Sequence, residues 1–248
     1  MKTESSKVAL ITGGGTGVGR ATTLQLATRG YHVVVNYSRS REEAEATAAE
    51  ARFLGVEALC IECNVADDSA VRSMLARCQA ELGRLDFVVN NAATTHFVDH
   101  ADLEAMTEQM WDEILAVNLK GPFFVSRAAI GLLRRSGGGA IVNVASVAGL
   151  AGAGSCIAYA ASKGALITMT KSLARAFAPE IRVNAVCPGV IESRWLADHP
   201  EMIESAKKIT PLSRASTTND IADAIVFLAC DAAMMTGQAI VVDGGRTM

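Results

Sequence analysis

A tyrosine, Tyr159, stands four residues before a lysine, Lys163, in the stretch SCIAYAASKGAL, among small and apolar neighbours. At 3.6 residues per turn, positions i and i+4 share one helix face. A free phenol has a pKa of roughly 10 and exchanges protons poorly near neutrality. An ammonium group one turn away favours the phenolate and lowers that value. The pair therefore reads as a proton donor and acceptor tuned for working pH. Ser146 closes the apolar run AIVNVAS, where a hydroxyl can hydrogen-bond a carbonyl oxygen and stabilise developing negative charge. Each feature alone has a plainer reading: a chance helical pair, or a serine in a turn or helix cap.

A glycine-rich stretch, TGGGTGVGR at 12–20, precedes them in the chain. Its spacing is G-x-x-x-G-x-G, with Gly13, Gly17 and Gly19 as the marked positions. A strand turning sharply into a helix needs glycine, and so does a backbone that approaches a pyrophosphate closely. The helix start then presents free N–H groups and a positive dipole end to the anion. The stretch lacks the G-K-[ST] ending of a P-loop. An oxidised nicotinamide held there would be a second cation acting on Tyr159.

The end of the second apolar run selects the dinucleotide. A carboxylate there holds the ribose hydroxyls of NAD and repels a phosphate. This chain has NYSRSRE at 36–42, with Asn36 in the acid's place and Ser38, Arg39 and Arg41 after it. A hydroxyl beside guanidinium groups suits a 2′-phosphate. NADP(H) is the favoured cofactor, and NAD(H) is the alternative if the arginines are only solvated charges.

Elements must position these groups. Seven short apolar runs, at 7–12, 31–36, 56–62, 85–90, 140–145, 181–186 and 238–242, alternate with helical patterns such as 41–54 and 68–82. Continuous apolar strands suit a parallel sheet covered on both faces. The expected fold is α/β: a doubly wound, mostly parallel Rossmann-type sheet of about seven strands. No linker divides the chain, so a single domain over 1–248 is expected, with a substrate-loop insertion near 190–217.

The net charge of −3 and the lack of a basic run argue against nucleic acid as a partner. No apolar run is long enough to span a membrane. The start, MKTESSKVALITGG, has no secretory apolar core, which points to the cytoplasm. Cys60 and Cys63 have C-x-x-C spacing, but on a strand residues three apart face opposite ways. With no second such pair and no ligand-spaced histidines on a helix, no metal site is expected.

With these motifs together, the chain resembles the short-chain dehydrogenases/reductases, in their compact single-domain branch. The resemblance runs from Lys7 to Gly245 and rests on TGGGTGVG, NNAA at 90–93, VNLKG at 117–121, Ser146, YAASK at 159–163, PGVIES at 188–193 and DGG at 243–245. It implies a catalytic set of Asn118, Ser146, Tyr159 and Lys163. In it Ser146 polarises the substrate carbonyl, Tyr159 delivers the proton, Lys163 lowers the tyrosine pKa and binds ribose, and Asn118 kinks its helix and holds a relay water. It implies a coenzyme surface of Gly13, Thr16, Gly17, Val18, Gly19, Asn36, Ser38, Arg39, Asn64, Val65, Asn90, Asn91, Ala92, Tyr159, Lys163, Pro188, Gly189, Val190 and Ser193. Three positions depart from the usual pattern: Asn64 replaces an aspartate, Ser193 a threonine, and Thr16 the basic residue of many NADP-preferring members.

The pattern most resembles 3-oxoacyl-acyl-carrier-protein reductases. That implies a carbonyl or alcohol substrate, an acyl-carrier protein as a candidate partner, and a homotetramer. Arg134, Arg135, Lys171 and Arg175 are candidates for a basic docking patch. Trp195 could equally wall a pocket for a small cyclic, sugar or aromatic ketone. A catalytically silent NADP-binding sensor is the reading from another class.

Overall fold

The computed structural model describes residues 6–248. Residues 1–5, which begin the stretch read above for a leader, lie outside the described residues.

Seven strands form one parallel sheet: β1 (Val8–Ile11), β2 (His32–Tyr37), β3 (Ala58–Glu62), β4 (Phe87–Asn90), β5 (Gly139–Val144), β6 (Ile181–Pro188) and β7 (Ala239–Val242). Their order is β3-β2-β1-β4-β5-β6-β7, every pair parallel. The order reverses between β1 and β4, so a crevice opens beyond the carboxyl ends of those strands. Each strand is apolar throughout because both faces are covered. Ala9 and Ile11 enter one core with Leu26, Ala44, Ala48, Ile221 and Ile225, while Val8 and Leu10 enter the other with Met74, Val125 and Leu133. The first core lies under α1 (Gly17–Thr28), α2 (Arg41–Phe53) and α9 (Thr218–Val226). The second lies under α3 (Asp68–Leu82), α5 (Gly121–Arg135) and the end of α7 (Ile157–Phe177). Cys60 packs on the first core and Cys63 on the second, so the two thiols do not converge. Among the described residues no cluster of His, Cys, Asp or Glu could hold a metal, and no helix is long and apolar enough to cross a membrane.

Three details of the elements bear on the site. β6 runs two residues past 186, because Cys187 and Pro188 still pair with Val241 and Val242. Between α4 (Glu108–Leu115) and α5 the helix widens into a π-helical turn at Ala116–Lys120. The segment near 190–217, expected to be irregular, holds a tight turn at Arg194–Leu196 and α8 (Pro200–Ile209). Pro200 sits in the first turn of α8, where its missing N–H leaves no bond unmade.

Candidate active site

A cleft of about 970 Å³ runs across the carboxyl ends of the strands. At one end is the glycine loop. Gly13 and Gly17 have φ of +61° and +53°, which β-carbon-bearing residues rarely adopt. A Cβ at Gly19 would lie 2.1 Å from the Gly13 carbonyl oxygen, so this glycine lets α1 close onto its own loop. Gly17 has open space where a Cβ would stand, on the cleft wall. Thr16 precedes α1 without capping it, and the first turn of α1 carries no acid. The free N–H groups of that turn thus meet the cleft without a competing anion, which fits a pyrophosphate. Thr16, Gly17, Val18, Ser38, Arg39, Asn64, Val65, Asn91, Ala92, Pro188, Gly189, Val190 and Ser193 all line the cleft.

Asn36 also reaches the cleft, and both ends of its amide are held by the backbone. Its Oδ1 accepts from the Gly13 N–H at 3.3 Å, and its Nδ2 reaches the carbonyls of Cys63 (3.0 Å), Tyr37 (3.2 Å) and Ile61 (3.3 Å). It braces the loop against β2 and β3. Asn90 does not lie along the cleft. It is buried, and its Nδ2 donates to Asn143 Oδ1 (2.8 Å) and Ser126 Oγ (3.2 Å). Side chains alternate along β4, so Asn90 turns inward while the following residues line the cleft. Gly19, packed against Gly13, is likewise absent from the cleft wall, as is Arg41. Asn91 ties the wall to the loop, its Nδ2 donating to the carbonyls of Thr12 (2.9 Å) and Gly13 (3.2 Å). The Asn64 Oδ1 accepts from the Ala66 N–H at 3.1 Å.

At the other end of the cleft stand Ser146, Tyr159 and Lys163. Ser146 follows β5, and its Oγ accepts from the Ala148 N–H at 3.1 Å, opening the one-turn helix α6 (Ala148–Ala151). Tyr159 sits in the first turn of α7, where Cys156 caps the helix by accepting from the Tyr159 N–H at 3.4 Å. Lys163 is 2% exposed, and its Nζ donates to the Val144 carbonyl at 2.8 Å, 5.6 Å from the centre of the Tyr159 ring. The lysine thus ties α7 to the strand end that carries Ser146. Close packing of backbones sets the spacing. A Cβ at Gly149 would lie 2.5 Å from the Lys163 carbonyl carbon and the Gly164 nitrogen. Gly149→Ala is expected to push α6 off α7 and misplace Ser146 against Tyr159. Turnover should fall at least about tenfold, and the overpacking should cost about 1–3 kcal/mol. Initial rates and thermal melts check this, and wild-type values in both would refute it.

The pKa expectation needs correction. The Tyr159 phenol is pushed up to about 12, not lowered. Burial is the largest cause; the nearby Ser146 hydroxyl pulls the other way. Part of the ring is reachable through the cleft, yet protein crowds it enough for desolvation to dominate. Lys163 is buried as well, which lowers its own pKa to about 8. Desolvation penalises both charged forms at once.

Asn118 lies buried in the π-helical turn. Its Oδ1 accepts from the Thr94 N–H (2.8 Å), and its Nδ2 reaches the Thr94 carbonyl (2.9 Å) and Ser162 Oγ (3.2 Å). Its side chain therefore clamps the loop after β4 to α7. The wider turn is the departure from helix geometry expected at this position. Sequence reasoning missed several wall residues, among them Phe97, Glu113 and Arg246. Phe97 stacks on His199, ring centres 3.9 Å apart, from a loop with no turn motif to flag it.

A doubly wound sheet with a glycine loop at its switch point and a Ser, Tyr and Lys group on the same cleft defines a Rossmann-type oxidoreductase. The family model described as enoyl-(acyl carrier protein) reductase matches residues 13–247. The chain is 42% identical over 246 residues to the 3-oxoacyl-[acyl-carrier-protein] reductase FabG of Staphylococcus aureus, covering 98% of this chain and 99% of that one. The Staphylococcus epidermidis FabG is 39% identical over 98% of this chain and all of its own length. A crystal structure from Burkholderia xenovorans, assigned to the short-chain dehydrogenases/reductases, superposes with a TM-score of 0.93 at 35% identity, covering 98% of this chain and 99% of that one. The chain belongs to the short-chain dehydrogenase/reductase family.

Proposed function

We propose that the chain is an NADP(H)-dependent reductase of ketones, a 3-oxoacyl thioester being the substrate its relatives favour. One observation carries this reading: Ser146, Tyr159 and Lys163 face the same cleft as an acid-free helix start behind a glycine loop. When bound along Gly13, Thr16–Gly17–Val18, Ala92 and Pro188–Val190, the dinucleotide supplies the hydride. The chain's own residues do the rest. The Ser146 hydroxyl donates to the ketone oxygen and stabilises the charge that develops there. Tyr159 gives its phenolic proton to that oxygen. A phenol near pKa 12 is fully protonated at neutral pH and still far more acidic than an alkanol, so burial suits it to donate. Lys163 holds the ribose, and Asn118 fixes the turn through which a proton is resupplied. The same residues permit the reverse oxidation.

The test is NADPH consumption with a short 3-oxoacyl thioester beside a panel of cyclic and aromatic ketones. Turnover of the thioester supports the reading. Inactivity there with activity on a cyclic ketone moves the substrate to the second reading, which Trp195 (42% exposed) and Phe97 on the wall favour. Binding of NADPH with no turnover of any ketone would leave only the silent sensor.

Arg39 carries the NADP(H) preference. Its side chain is 89% exposed and paired with Glu113 only at 3.9 Å, so it is free to turn to a 2′-phosphate. Arg39→Ala should raise the KM for NADPH about tenfold or more and leave NADH almost unchanged, as expected for losing one charge-assisted contact. An equal change for both coenzymes would overturn the assignment.

Carrier-protein docking is the finer part of the proposal. Arg134 and Arg135 end α5, and Lys171 and Arg175 lie in the second half of α7, toward the amino ends of the strands. Arg134 already pairs with Glu180 at 2.6 Å. These cations stand away from their own cleft and could serve only the cleft of a neighbouring copy. We place the chain in the cytoplasm as a homotetramer; the tetramer accords with β7 as an edge strand among the described residues and with the exposed Phe123, Phe227 and Val241. Sedimentation at four chain masses is expected; a monomer would refute it.

A further inference from the structure

Five charged residues line the cleft: Arg39, Glu113, Lys163, Arg194 and Arg246. Four have partners. Arg39 faces Glu113 at 3.9 Å, Arg194 binds Glu43 at 2.9 Å, and Lys163 donates to the Val144 carbonyl at 2.8 Å. The Arg246 guanidinium has no ion pair and no hydrogen-bond acceptor among the described residues. Only its backbone N–H is engaged, by the Asp243 carbonyl at 3.4 Å.

Arg246 is held in place by a built turn. Gly244 and Gly245 take φ of +67° and +88°, which folds the chain back on itself. A Cβ at Gly244 would lie 2.6 Å from Thr210 Cγ2, and one at Gly245 would lie 3.2 Å from Pro211 Cγ, so the turn is packed against the end of α8. Asp243, the nearest acid in the chain, does not neutralise Arg246. Its Oδ1 accepts from the Gly245 N–H (2.8 Å), and its Oδ2 accepts from the Thr247 N–H (2.9 Å) and hydroxyl (2.7 Å). Asp243 also packs on Gly189, where a Cβ would meet it at 2.7 Å. The turn therefore lies beside the Pro188–Val190 wall. Arg246 is half-buried there, on a cleft whose wall includes Trp195, Leu196, Met202 and Ile209.

A guanidinium with no acceptor in the protein keeps its donors free for a ligand that enters the cleft. Its planar fork matches an oxyanion, and a turn that fixes it beforehand lowers the cost of binding. We propose that Arg246 forms an anion subsite for the substrate, so that the ketones this enzyme prefers carry a carboxylate or phosphate group. The inference rests on the ketone reductase reading and deepens it.

The test compares three 3-oxobutyryl substrates in the wild type and in Arg246→Gln: the free acid, the phosphopantetheine thioester and the neutral N-acetylcysteamine thioester. The expected result is that the kcat/KM of one anionic substrate, relative to the neutral thioester, falls at least tenfold in the variant. A fall for the phosphopantetheine thioester alone identifies the anion as a carrier phosphate, and one for the free acid alone as a carboxylate. Ratios unchanged within twofold overturn the subsite. Calorimetric titration of the protein with the same anionic compounds separates the two hypotheses. Tenfold weaker binding in Arg246→Gln supports the subsite even if no ketone is reduced, whereas no binding by the wild type, or equal binding by both proteins, overturns it.

Discussion

Tyr159→Phe should abolish ketone reduction to within a residue of about 10²–10⁴-fold below wild type, while NADPH still binds. The size follows from removing a general acid. The substitution deletes one oxygen and leaves the ring that packs with Val98, Met106 and Trp111 around Ile114 and Ala158. The backbone N–H that Cys156 caps is unaffected. The cradle of Gly13, Gly17 and Val18 belongs to other elements at the far end of the cleft. Binding, read by quenching or transfer of nicotinamide fluorescence, should therefore stay within a few-fold of wild type. The ketone oxygen would face only the Ser146 hydroxyl, which can stabilise charge but has no comparable means of giving up its proton. Turnover within tenfold of wild type would remove Tyr159 from the mechanism, and loss of NADPH binding would show that the tyrosine acts structurally instead.

What could be read from the sequence follows a physical divide. The seven strands are legible because both faces of each are buried, so that VALI and HVVV announce themselves without alternation. The glycine loop is legible because Gly13, Gly17 and Gly19 answer to steric demands no other residue meets. The direction of polar side chains is not legible. Asn36, Asn90 and Asn91 all stand at strand ends near the cleft. One braces the loop, one is buried between β4 and β5, and one clamps Thr12 to the wall. The difference depends on register, which local composition does not encode. Arg246 escaped notice for a related reason. Its place follows from a two-glycine turn packing on α8, a contact between segments more than thirty residues apart in the chain. The pKa of Tyr159 is not legible either, because spacing reveals the neighbouring lysine but not the burial that raises the phenol in the coenzyme-free protein.

That burial gives Lys163→Met two readouts. Turnover should fall about 10²-fold or more, since on the proposed mechanism the lysine would hold the coenzyme ribose, and it ties α7 to β5 at Val144. The second readout needs no turnover. Burial lowers the lysine from its ordinary 10.5 to about 8 in the folded protein. Below pH 8 both folded and unfolded chains hold the proton, and the group adds no slope. Between pH 8 and 10.5 the unfolded chain holds a proton that the folded chain has released, so stability rises with pH. Above 10.5 neither form holds it, and the gain is complete at about 3 kcal/mol. Cys187, whose charge would act on Lys163, stays a thiol through most of that window, because burial pushes it up to about 11. Other buried groups titrate alike in both proteins and cancel in the difference. The stability of the wild type relative to Lys163→Met should therefore climb between pH 8 and 10.5, measured by denaturant unfolding without coenzyme. A flat difference would mean that Lys163 is not desolvated as its position against Val144 implies, and that the cleft is wet where the proton is handed over.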